Sequence, residues 1–201
     1  RARVAERIGF AGPVSSLALD LRAIREAVET TPGVKSARVA VAGEGVLSVA
    51  VTRRAPAALW RWEGQLHLVD AEGVVIAPVA RRADRPELPL IVGPGADAAT
   101  GEALALWRRA APLEDRLRAL VRVGGRRWSL ALSGGQRVHL PAEGAETALS
   151  RLLALEAAEE LLDREVAVVD LRDPERPVLR LTPRGVGEAA RLRAMREGEE
   201  T

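Results

Sequence analysis

Between Trp60 and Thr182 the apolar residues recur at every second position in short runs, and most of those runs are closed by glycine or proline. Trp60 and Trp62 share one side of such a run, Leu66 and Leu68 share the next, and Ala71-Glu72-Gly73 then turns the chain into Val74-Val75-Ile76. Period two marks a strand with one buried side, because successive side chains leave a pleated backbone on opposite faces. Leu90-Ile91-Val92, Leu117–Val123, the set Trp128, Leu130 and Leu132, the pair Val138 and Leu140, Val166–Leu171 and Val178–Thr182 continue the pattern. Gly124-Gly125 and Gly134-Gly135 fall between runs, where a hairpin needs residues that tolerate positive φ. Such a chain has to build a sheet, mostly antiparallel.

Helical spacing interrupts the strands twice. Leu104 and Trp107, closed by Pro112, predict a helix over about Ala98–Ala110, and Leu149, Leu152, Leu153 and Leu161 predict another over Ala145–Leu162. Ahead of the strands the order differs. Arg3–Gly9 reads as the last turns of a helix, and Leu21, Ile24 and Val28 follow the N-cap Asp20 until Pro32-Gly33 stops them. Ala37, Val39 and Val41 then alternate, Gly43-Glu44-Gly45 turns, and Leu47, Val49 and Val51 alternate up to Arg53-Arg54. The fold class is therefore α+β. Residues 1–54 form a small unit of helices on a sheet with its first strand missing, residues 55–183 form a larger strand-rich unit carrying two or more helices, and the charged stretch 184–201 is helical or disordered.

Composition narrows the function. Thirty lysines and arginines against 28 acids give a formal charge of only +2. The pI of 10.2 reflects arginine and the absence of tyrosine and cysteine rather than a one-signed surface. Nucleic acid is not the expected partner. Without cysteine there is no disulfide, no thiol catalysis and no thiolate metal site, and compartment stays undecided. No run is long and apolar enough to cross a bilayer. Arg1 in place of methionine implies a fragment or processed form, with any signal or anchor upstream out of view.

Catalytic motifs do not assemble. Leu132-Ser-Gly-Gly-Gln-Arg137 spells the signature string of ABC-type ATPases, but the phosphate loop such a site needs is absent, since the single lysine, Lys35, follows Val34. A hairpin turn explains the same glycines. Gly93-Pro94-Gly95 is interrupted by proline and reads as a turn before a helix. His67 and His139 have no partner at ligand spacing and read as strand-surface residues, so no metal or cofactor is expected. The serines lack a nucleophile elbow. Trp60, Trp62, Trp107 and Trp128 stand beside arginines as base-stacking platforms would, yet each lies on the apolar side of its element, which assigns them to the core. Val178–Thr182, flanked by Pro177 and Pro183, is either a sheet edge open to a partner's strand or a buried central strand.

Several strings, taken in order, resemble the extracytoplasmic part of the FtsQ/DivIB family of bacterial cell-division proteins, in its alphaproteobacterial style. They are Thr31-Pro-Gly-Val-Lys-Ser-Ala-Arg-Val39, Val51-Thr-Arg-Arg-Ala-Pro-Ala-Ala-Leu-Trp60, Leu68-Val-Asp-Ala-Glu-Gly-Val75, Leu88-Pro-Leu-Ile91, Arg126-Arg-Trp128 and Val169-Asp-Leu-Arg172. The resemblance implies a POTRA module followed by a β domain. It also implies a single-pass inner-membrane protein, this part periplasmic and the transmembrane helix outside the chain. Members are not enzymes. They bring FtsB and FtsL to the septum, with FtsB adding a strand to the last strand of the β domain and the POTRA module meeting other division proteins. Here that strand would supply Val178, Leu179, Arg180, Leu181 and Thr182, with Arg126 and Arg172 pairing acidic residues of the partner. Arg53-Arg54 departs from the family's acidic-then-basic pair, and Asp173 stands where some members carry an aromatic. Read on its own, the first unit also suits an envelope-assembly module that chaperones outer-membrane proteins.

Overall fold

The computed structural model describes residues 19–199, so the helix expected over Arg3–Gly9 lies outside the described residues. Helix α1 (Leu21–Glu29) starts where expected, because the Asp20 carboxylate accepts from the N–H groups of Arg22 and Ala23, each at 3.0 Å. Caps of this kind contribute about 1 kcal/mol. Its apolar side, Ile24 and Val28, packs with Val34 on an antiparallel hairpin of β1 (Val34–Ala42) and β2 (Val46–Arg53).

A nine-stranded mixed sheet follows. Its strands are β3 (Ala58–Trp62), β4 (Gln65–Val69), β5 (Val75–Pro78), β6 (Leu90–Val92), β7 (Leu117–Val123), β8 (Arg127–Leu132), β9 (Arg137–His139), β10 (Val166–Asp170) and β11 (Val178–Leu181). Their spatial order is β11-β10-β9-β8-β7-β6-β3-β4-β5. The hairpin-linked neighbours are antiparallel, including the β7-β8-β9 meander, while β3/β6, β6/β7 and β9/β10 are parallel. Helix α2 (Thr100–Arg109) makes the crossover from β6 to β7, and α3 (Ala145–Glu159) makes the one from β9 to β10. A parallel pair requires such a long connection.

Both helices lie over one sheet face and bury the main core, in which Ile91, Leu120, Leu130, Val138, Leu140 and Leu149 are inaccessible to solvent. The opposite face carries a smaller cluster, Leu59, Leu66, Leu90 and Ala119, against which Val79 and Leu88 pack. Arg82 organises the segment between those two residues by donating to the carbonyls of Arg85, Pro86 and Leu88. The last helix, α4 (Pro183–Glu199), leaves directly from the end of β11.

Three expectations change. The second long helix stops at Glu159, because Glu160 turns left-handed at φ 50° and Leu161–Asp163 winds as a short 3-10 turn instead. Trp62 is 38% exposed, being the last residue of β3 beside the Glu63-Gly64 turn, whereas Trp128 is buried and Trp60 and Trp107 pack against the main core. The two histidines are half-buried rather than on the strand surface.

Candidate functional site

A sheet edge exposes backbone donors and acceptors, and the nine-stranded sheet has two such edges. At β5 the strand is short and ends in Pro78, which has no N–H to offer, and Gly33 of the first unit comes close to Ile76. At the other end β11 pairs with β10 alone among the described residues. Val178 is 59% and Leu179 44% exposed, a large apolar exposure for a strand. Of the two readings left open by the sequence, edge or central strand, the edge is observed.

Strand register fixes what surrounds this edge. The pairings Ser129↔His139, His139↔Asp170 and Asp170↔Val178 set four residues in one row on the face away from α2 and α3. The next row on that face runs Ala131, Arg137, Val168 and Arg180. The helix-covered face ends differently. There Leu130, Val138 and Val169 lead outward to Leu179, so the main core runs out at an exposed leucine. The edge thus presents Arg180 and the exposed Val178 on one face and the exposed Leu179 on the other.

Arg172 folds back on Asp170, whose Oδ1 accepts from the Arg172 N–H at 3.0 Å while its two oxygens accept from Nε at 2.9 and 2.8 Å. The hydrogen bond from Arg172 is the main reason the Asp170 carboxyl sits below the usual carboxylate range. With its side chain about half exposed, Arg172 can share its guanidinium with a second carboxylate. A surface depression beside it is lined by Arg127, Asp170, Arg172, Asp173, Arg176 and Val178. Arg126 does not line it, but stands exposed next to the Gly124-Gly125 turn. The sequence reading missed Arg127, although strict alternation from Trp128 puts Arg127 and Ser129 together on the open face.

Two further residues of the set, Leu181 and Thr182, are engaged within the chain. Leu181 packs against the main core. The Thr182 hydroxyl donates to Glu165 Oε2 at 2.6 Å and accepts from the Gly185 N–H at 3.1 Å, so it caps α4. Val178, Leu179 and Arg180 are the exposed part of the strand.

Ser129, His139 and Asp170 bring together three residue types used in acyl transfer, and His139 Nδ1 lies 2.9 Å from Ser129 Oγ. The arrangement lacks the third link, because the Asp170 oxygens are taken by Arg172 and no Asp170 hydrogen bond to His139 is found among the described residues. Burial pushes the His139 imidazole below its ordinary pKa of 6.5; Asp170 opposes this, while Arg172, Arg137 and Arg180 reinforce it. A folded-state pKa below the unfolded one makes protonation oppose folding, so this contribution is complete above about pH 6.5 and is lost as the pH falls below it. His139→Gln is therefore expected to lose less thermal stability than the parent between pH 7.5 and pH 5. Equal losses in both proteins, measured by thermal denaturation, would remove His139 as an acid-sensitive group.

Residues Ser133–Gly135 of the ATPase-like string form the β8–β9 turn, with Gly134 at φ 73° and Gly135 at φ 81°. Gln136 completes a structural role by donating through Nε2 to the carbonyls of Leu162 and Val166, both at 2.9 Å. No helix among the described residues is long and apolar enough to cross a membrane.

Similarity to known proteins places this architecture. A family model described as cell division protein FtsQ/DivIB, C-terminal, matches residues 58–172, from the first strand of the large sheet to Arg172. The chain is 42% identical over 193 residues to a cell division protein FtsQ of Cereibacter sphaeroides, covering 96% of this chain and 63% of that protein. It is 47% identical over 172 residues to FtsQ of Ketogulonicigenium vulgare, covering 86% and 57%. Against FtsQ of Paracoccus denitrificans it is 46% identical over 169 residues, covering 84% and 50%. The chain thus spans one half to somewhat under two thirds of the length of these curated relatives. With that family match, those identities and an α+β fold built on the expected strands, the chain belongs to the FtsQ/DivIB family of cell-division proteins.

Proposed function

We propose that this chain is a non-enzymatic scaffold of the divisome that binds FtsB and FtsL by adding a partner strand to β11. The observation that carries the reading is the open edge itself, with two exposed apolar side chains, Arg180 on one face and no neighbouring strand among the described residues. On this reading residues up to 54 are a POTRA-type module, residues 55–183 the FtsQ-type β domain and residues 184–201 a C-terminal tail. The chain works on the periplasmic side of the inner membrane at the septum, held there by a transmembrane helix that precedes it. Arg126, Arg127 and Arg172 meet acidic groups of the partner, and Leu179 meets an apolar one.

A net backbone hydrogen bond contributes about 1 kcal/mol, so a four-residue strand alone gives modest affinity and side chains must supply the rest. Binding of a peptide from the C-terminal region of the organism's own FtsB, followed by calorimetry at two salt concentrations, tests this. Saturable binding that weakens with salt is expected. Leu179→Pro and Arg172→Glu should each weaken it about tenfold or more while circular dichroism stays unchanged. Folded variants that bind as the parent does would move the site away from β11.

A further inference from the structure

The helix-hairpin unit and the nine-stranded sheet bury separate apolar cores. Ile24, Val28 and Val34 form one cluster, and no apolar cluster among the described residues includes side chains of both units. Apart from the approach of Gly33 to Ile76, the contacts described between them are polar. Arg54, just past the end of β2, sends Nη1 to Asp70 Oδ2 at 2.5 Å and to Glu72 Oε2 at 3.1 Å, while its Nε donates to the Val34 carbonyl at 3.2 Å. Lys35 Nζ reaches Glu72 Oε1 at 2.6 Å. Asp70 is 4% exposed, and its other oxygen accepts from the N–H groups of Glu72 at 3.0 Å and Val74 at 2.8 Å. One guanidinium therefore touches the first strand of the hairpin and the buried carboxylate of the large sheet together.

We propose that the Arg54–Asp70 pair is a clasp that fixes the angle between the two units, and that releasing it lets them swivel about residues 54–57 while both stay folded. Apolar cores that do not merge leave each unit with its own stability. A pair buried in this way is highly sensitive to loss of one partner, because the survivor keeps an uncompensated charge. The pair's other hydrogen bonds, to the Val34 carbonyl and from the Glu72 and Val74 N–H groups, also lie beside the junction. Burial pushes the Asp70 carboxyl up, but the Arg54 hydrogen bond and the Val74 and Glu72 N–H groups outweigh it and hold the group below its ordinary range. The fold therefore favours the charged carboxylate that the clasp uses. A partner that touches both units meets them at one fixed spacing while it is closed.

The sequence has no cysteine, so Arg25→Cys on the exposed side of α1 and Arg151→Cys on that of α3 can carry a pair of spin labels. Pulsed electron–electron resonance should give one narrow distance distribution in the parent. In Asp70→Asn and Arg54→Gln the width should at least double, with an unchanged circular dichroism spectrum. Should either of these fail to fold, Arg54→Lys keeps the charge but gives up the two-pronged contact, and it is expected to broaden the distribution as well. A distribution already broad in the parent, or one left narrow in the folded variants, overturns the clasp.

Discussion

Trp128→Ala is expected to lower stability by about 4 kcal/mol, within the range of roughly 3–5 kcal/mol for truncating a buried large aromatic. For a chain of this size that corresponds to a fall in melting temperature of about 8–16 °C, at roughly 2–4 °C per kcal/mol. Three contacts converge on this ring. It is 2% exposed in the main core, its Nε1 donates to Glu102 Oε2 at 3.0 Å, and the Arg122 guanidinium carbon stands 4.9 Å from the ring centroid. Arg122 is itself nearly buried and ion-paired with Glu102 on α2, so the ring helps to seat a charged pair as well as to fill space. Removing the ring opens a cavity and strips the cation of the aromatic surface beneath it. Trp128→Phe keeps a ring under Arg122 and gives up only part of the volume and the N–H, so a loss of about 1–2 kcal/mol is expected. Thermal or urea denaturation of the two variants reads the difference. A loss below about 1 kcal/mol for the alanine variant would show that Arg122 and Glu102 do not depend on the ring.

Much of this architecture could be read from alternation alone. Trp128, Leu130 and Leu132 announce their strand because the core requires every second side chain, and the glycines at 134 and 135 announce the turn because it requires positive φ. Strand order is another matter. That β10 lies beside β9 in parallel, leaving β11 at the rim, follows from the path of α3 over the sheet, and no local pattern encodes that path. The same distinction separates Arg126 from Arg127. The sequence shows two adjacent arginines, and only the point at which the strand begins decides which one joins Arg172 at the surface depression. Arg54 and Asp70 were both visible as charged residues near turns, but 16 residues separate them and only the meeting of two sheets makes them a pair.

The same limit applies to Gly73, where a residue legible as a turn former has a second, tertiary reason to be glycine. Gly73→Ala is expected to cost about 3 kcal/mol or more. Its φ of +85° alone asks for about 1–2 kcal/mol from any residue with a Cβ. A Cβ there would also lie 2.2 Å from the carbonyl oxygen of Asp97, a separation that real atoms do not allow. That oxygen cannot step aside freely, because it accepts from both the N–H and the hydroxyl of Thr100 at the start of α2. Relief has to come from moving either the entry to α2 or the Asp70–Val74 turn, in which Gly73 N–H donates to the Asp70 carbonyl. Gly64 supplies the control. It has nearly the same backbone, at φ +76°, and nothing within 4 Å of its would-be Cβ, so Gly64→Ala should lose only the conformational part. The difference between the two variants in urea denaturation isolates the collision with Asp97. Equal losses would mean that the turn yields without cost, and that its contact with the α2 entry does not constrain the fold.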